Sequence, residues 1–159
     1  MSINTALADA VERITAAGHQ VLHAYGRKND APAPHDGYTA VPYIDDMEAA
    51  YAVADVVVCR SGAMTVAENS AAGVPAIYIP LPHGNGEQGL NSAHLVATGA
   101  ALRIDDAELN GDVLVEKLLP LLNNDDARAE MRRAIAQSGA GNVAEDLARR
   151  IADAAGKEN

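Results

Sequence analysis

Residues 60 to 68 read RSGAMTVAE and follow the apolar run ADVVVC. An unbroken apolar run predicts a buried strand. The small residues 61 to 63 would let backbone N–H groups close on a ligand, and a helix opening near Thr65 would aim its positive end at the same point. That arrangement suits phosphate oxygens. Arg60 offers a fork of donors to such oxygens, or an ion-pair partner to one of the chain's many carboxylates, and the sequence leaves both readings open. Thr65 and Glu68 have the spacing of a capping box, in which each side chain accepts from the other residue's amide. The alternative for Glu68 is a carboxylate that accepts two hydrogen bonds from the vicinal hydroxyls of a ribose or sugar. Asp45 and Glu48 in IDDME repeat the spacing, and there capping is the reading adopted.

The stretch PLPHGNGEQGLN, residues 80 to 91, is rich in Gly, Pro and amide side chains. His83, Asn85, Glu87, Gln88 and Asn91 suit a neutral polyhydroxylated ligand, although ordinary loop solubility accounts for any one of them. Cys59 ends a strand with no His partner and reads as packing. The histidines at 19, 23, 35, 83 and 94 form no HExxH and no close carboxylate cluster, so no metal site is expected. GxGxxG and GxxxxGK[ST] are both absent, which removes the signatures of dinucleotide and P-loop nucleotide binding. No cofactor is expected; a divalent cation such as Mg2+ is compatible with a diphosphate, but no visible site encodes one.

The elements that must hold these residues follow from periodicity. Apolar residues at 3, 7, 11 and 14 predict a helix over 3–17, and Gly18 stops it. Short strands are expected over 20–25 and 38–43 around a polar Pro/Gly loop, then a short helix over 44–54. The strand 56–59, a helix over about 65–72, the strand 76–79, a helix over about 90–98 and the strand 101–104 follow. Helices around 109–122, 125–137 and 141–155 make the segment 105–159 mainly helical. Continuous apolar strands alternating with helices predict an α/β fold, a Rossmann-like parallel sheet with helices on both faces. Ligands would then bind beyond the carboxyl ends of the strands, after 43, 59 and 79.

A chain of 159 residues suits a single domain. Its five aromatic residues are all tyrosine, so the core must be aliphatic and closely packed. The formal charge of -10 argues against nucleic acid and anionic membrane as partners over most of the surface. One cysteine, no secretory signal and no run of about 20 apolar residues make the cytoplasm the expected compartment.

The combination of IDDM, CRSGAMTVAE and PxxxGNGEQxxN, within residues 42 to 102, resembles the donor-binding half of the MurG family of bacterial glycosyltransferases. SINTAL at the start looks like the continuation of that family's GGSxGA loop. The resemblance covers essentially the whole chain and implies the carboxyl-terminal domain of a GT-B fold, lacking its first strand. It implies recognition of UDP-N-acetylglucosamine and transfer, with inversion, of N-acetylglucosamine to a lipid-linked muramyl-pentapeptide, the step that makes lipid II in peptidoglycan synthesis.

Carried onto this sequence, the backbone at Ile44 would read uracil and Glu68 would hold the ribose. The amides of Ala63, Met64 and Thr65 would meet the diphosphate, with Arg60 close by. Gln88 would bind the glucosamine hydroxyls, Glu87 would stand where some members have glutamine, and Asn91 would support the loop. The acceptor domain, the general base and the membrane-resting patch of the family are expected outside this sequence, so no catalytic residue is assigned within it. The reading is a truncated or split member, inactive alone, with the acceptor reached only through an amino-terminal domain or partner chain. Its location is then cytoplasmic, or peripheral on the cytoplasmic face of the cell membrane. Loss of the first strand would leave sheet edges open to self-association. The alternatives are a fragment like UDP-N-acetylglucosamine 2-epimerase, and a noncatalytic UDP-sugar-binding module.

Overall fold

A computed structural model describes residues 2–82 and 86–139. His83, Asn85 and the helix expected over 141–155 lie outside the described residues. The chain begins with α1 (Ser2–Ala16), whose Ala6, Leu7, Ala10, Val11 and Ile14 form one buried stripe. Two short parallel strands follow, β1 (Val21–Ala24) and β2 (Tyr38–Val41), with Val21 opposite Tyr38. Then come α2 (Met47–Val53), β3 (Val57–Cys59), α3 (Ala63–Ala72), β4 (Ala76–Tyr78), α4 (Glu87–Ala97) and β5 (Ala101–Arg103). Helices α5 (Gly111–Leu122) and α6 (Asp125–Gln137) complete the described part.

Alternation along β4 builds the two faces. Ile77 and Ile79 join α1 and Leu114, Leu118 and Leu121 of α5 in one buried cluster. Ala76 and Tyr78 turn the other way, toward Val66 of α3, Leu95 of α4 and Ile135 of α6. Helices therefore cover both faces, as the continuous apolar strands required. Cys59 packs on the second cluster, and burial pushes its thiol up to about 12, so it stays protonated and inert.

The strands do not form one continuous sheet. They fall into a pair, β1–β2, and a triplet, β3–β4–β5, each parallel throughout. Val21 and Tyr25 donate toward the β2 side, to the carbonyls of Gly37 and Val41. The N–H groups of Leu22 and Ala24 therefore point away from β2, where no described strand receives them. β3 has the same open outer edge. Both sheets nonetheless share a core, since Val21 and Tyr38 pack with Val56 and Val58 on the cluster that α1 and α5 supply.

Several boundaries differ from expectation. α3 opens at Ala63 with Gly62 as its N-cap, so Thr65 lies inside the helix and the Thr65–Glu68 capping box does not form. α4 opens at Glu87, after Gly86 in the left-handed region at φ 73°, rather than at about Leu90. In both places a glycine backbone starts the helix without a side-chain acceptor. At α2 the cap is Asp46, which accepts from the amide of Ala49 at 2.9 Å. The expected pair Asp45–Glu48 is thus displaced by one residue, and Asp45 stands 3.7 Å from Arg27 on the surface.

Candidate functional site

Two helix amino ends converge at the carboxyl edge of the β3–β4–β5 sheet. Between them lies an open cleft of about 370 Å³ lined by Gly62, Ala63, Glu87, Gln88, Leu90 and Asn91. In α3 the first intrahelical bond is from the amide of Val66 to the carbonyl of Gly62, at 2.9 Å. The amides of Ala63, Met64 and Thr65 thus have no acceptor within the helix. In α4 the first such bond runs from Leu90 to Gly86 at 3.3 Å, which leaves the amides of Glu87, Gln88 and Gly89 in the same condition. Two helices thus present their positive ends around one cleft, an environment that favours an anion.

Hydrogen bonds hold the two ends together. Ser61, fully buried, donates its hydroxyl to the carbonyl of Gln88 at 2.7 Å. Asn91 returns the tie, its Nδ2 donating to the carbonyl of Ser61 at 3.0 Å. Gln88 Oε1 accepts from the amide of Leu81 at 3.1 Å, which fixes the side chain and leaves its Nε2 without a partner among the described residues. Asn91, expected to support its own loop, is bonded instead to the turn that precedes α3. Ser61 was not singled out from sequence, where it is one small residue among three; as the sole hydroxyl in that turn, it carried the signal that could have found it.

Glu68 is placed elsewhere. It is exposed in the second turn of α3 and lines a second cleft of about 570 Å³, with Met47, Glu48, Tyr51, Ala52, Ala71 and Ala72. This groove between α2 and α3 is mostly apolar, with carboxylates at its rim. Ile44 is half-buried in the loop that leads to Met47. Of the expected residues, Ala63, Glu87, Gln88 and Asn91 line the first cleft. Met64 is exposed beside it, at 71%, and Thr65 is half-buried.

Arg60 has the ion pair that one of its two readings required. Its Nη1 donates to Asp106 Oδ1 at 2.6 Å and to the carbonyl of Ile79 at 3.1 Å, and its Nη2 donates to Ser2 Oγ at 2.6 Å. Neither Ser2 nor Asp106 was identified from sequence, and no local pattern joins them to Arg60. Among the described residues, no group of three or more His, Cys, Asp or Glu side chains is arranged to hold a metal ion. No described helix is long and apolar enough to cross a membrane.

The relatives of this chain agree with its architecture. It is 53% identical over 152 residues to the UDP-N-acetylglucosamine–N-acetylmuramyl-(pentapeptide) pyrophosphoryl-undecaprenol N-acetylglucosamine transferase of Corynebacterium glutamicum strain R, across 96% of this chain and 43% of that protein. The protein of the same name from Mycolicibacterium smegmatis is 50% identical over 161 residues, with 97% of this chain and 40% of that one covered. The chain therefore spans less than half the length of these curated relatives. The crystal structure of Acinetobacter baumannii MurG superposes with a TM-score of 0.70 at 30% identity, covering 94% of this chain and 46% of that one. A family model, the glycosyltransferase family 28 C-terminal domain, matches residues 1–147, and the chain belongs to that family.

Proposed function

We propose that this chain is the donor-binding part of an N-acetylglucosaminyltransferase that acts on a lipid-linked muramyl-pentapeptide. The observation that carries the reading is the cleft between the first amides of α3 and α4, which have no acceptor within their own helices. A diphosphate bound there would have its negative charge met by fixed backbone dipoles, and this would also stabilise the leaving group as charge develops. The ribose would extend toward Glu68 and the second cleft, and uracil toward the backbone of Ile44. The sugar would meet the open Nε2 of Gln88, with Glu87 accepting from a hydroxyl.

In the transfer, the acceptor hydroxyl oxygen attacks the anomeric carbon from the face opposite the diphosphate. The carbon–oxygen bond to UDP breaks, the electron pair leaves with UDP, and a base takes the hydroxyl proton. The base and the acceptor site are assigned to a part of the enzyme beyond this domain, as is contact with the cytoplasmic membrane face. The chain alone would therefore bind donor without transferring sugar.

Calorimetry with UDP and UDP-N-acetylglucosamine, with and without Mg2+, tests the reading. Saturable binding of both is expected, with Glu68→Ala weakening UDP roughly tenfold or more for the loss of charge-assisted hydrogen bonds, while the melting temperature holds. Absence of binding, or turnover of a lipid-linked acceptor by the chain alone, would overturn it. Sedimentation velocity on the same sample reads whether the open edges of β1 and β3 pair copies of the chain.

A further inference from the structure

The Arg60 guanidinium joins three places that lie far apart in sequence. Its hydrogen bonds reach the carbonyl of Ile79 just after β4, the carboxylate of Asp106 beyond β5, and the hydroxyl of Ser2 at the start of α1. Ser2 passes its own hydrogen to Asp106 Oδ1 at 2.5 Å and closes the triangle. The Arg60 and Asp106 side chains are 24% and 21% exposed, sheltered enough for the pair to resist solvent screening better than a surface pair. The hydrogen bonds from Ser2 and Arg60 hold the Asp106 carboxyl below its usual range, so it stays ionised at neutral pH.

We infer that Asp106 and Ser2 are positioning residues for the diphosphate site and act through Arg60. The inference rests on the donor-site reading above. Arg60 immediately precedes the turn Ser61–Gly62 from which α3 starts, and that turn contains a glycine and no proline. Ser61 ties the turn to α4 on one side; Arg60 ties it to β4, β5 and α1 on the other. With both anchors in place, the first amides of α3 keep their aim. If Arg60 instead swung out to grip a phosphate, Asp106 and Ser2 would be left without their donor.

The two roles give opposite signs. If Arg60 is a strut, Asp106→Ala loosens the turn and weakens UDP. If Arg60 is the phosphate ligand and Asp106 competes for it, Asp106→Ala removes a repelling charge and tightens UDP. We expect Asp106→Ala to weaken UDP roughly tenfold, and Ser2→Ala, which changes no charge, to weaken it roughly threefold. Uridine, which has no phosphate, should bind both variants as it binds the wild type in an NMR titration; a general loss of structure would weaken uridine too. Tighter or unchanged UDP binding by the two variants overturns the inference, as does equal loss of UDP and uridine. Should Asp106→Ala fail to fold, Ser2→Ala decides. A wild-type chain that does not bind UDP removes the donor-site reading and this inference together, whereas wild-type binding with indifferent variants removes this inference alone.

Discussion

The α1–α5 face and the cleft edge are parts of one domain held by different forces. On the first, aliphatic side chains interlock, and the helices approach so closely that a Cβ on Gly111 would stand 2.7 Å from Asp9 Cβ and 3.1 Å from its backbone carbonyl carbon. At the second, the amino ends of α3 and α4 are joined at the open cleft by the bonds Ser61–Gln88 and Asn91–Ser61, with Gln88–Leu81 beside them. Apolar burial is non-directional and gives stability; hydrogen bonds are directional and set the aim of backbone donors. The contrast implies that stability and ligand affinity can be lost separately.

The largest effect should come from the aliphatic face. Leu114 is 2% exposed within the α1–α5 cluster, and Leu114→Ala should cost about 2–5 kcal/mol through lost transfer free energy and the cavity left behind. Urea unfolding reads the loss. UDP affinity per folded molecule should be unchanged, and a parallel loss of affinity would break the separation of the two regions.

A smaller stability effect, with the opposite balance, is expected at the cleft. Ser61→Ala removes one buried hydroxyl and its bond to Gln88, worth about 1 kcal/mol in folding. Because that bond aligns the two helix amino ends, UDP affinity should fall severalfold while the unfolding midpoint moves little. Calorimetry beside urea unfolding checks the ratio; unchanged affinity would show that the helix ends need no tie from Ser61.

The same contrast explains what the sequence made legible. The 3.6-residue stripe of α1 and the apolar runs of β3 and β4 announced the core because burial repeats with the geometry of each element. The helix starts at the cleft were misplaced because Gly62 and Gly86 begin their helices through backbone conformation, which leaves no capping side chain to find. At α2 two adjacent aspartates could each cap, and only the folded register selects Asp46. The Arg60 triangle was less accessible still, since its members are 46 and 58 positions from Arg60 in sequence. Of the site, the small-residue turn and the amide side chains were readable locally; the partners that fix them were not.

The smallest effect sharpens the contrast at a third junction, where a directional network ties α1 to the β1–β2 pair. Asn4 Nδ2 donates to the carbonyl of Tyr25 at 2.9 Å, which turns its Oδ1 toward His23 Nε2 at 3.1 Å. An amide oxygen only accepts, so Nε2 carries the ring hydrogen, and Nδ1 accepts from the Tyr38 hydroxyl at 2.6 Å. A proton on Nδ1 would face another donor unless that hydroxyl turned away. Burial lowers the His23 pKa from 6.5, so the unfolded chain takes up this proton at higher pH than the folded one. The contribution to stability is therefore full above the unfolded value, declines as pH falls through the lower folded value, and levels off beneath it. The melting temperature should fall from about pH 7.5 to about pH 5. His23→Gln, which keeps a donor for Asn4 and cannot titrate, should flatten that part of the slope. An equally steep slope in His23→Gln would place the acid sensitivity at other groups and leave this junction with a packing role alone.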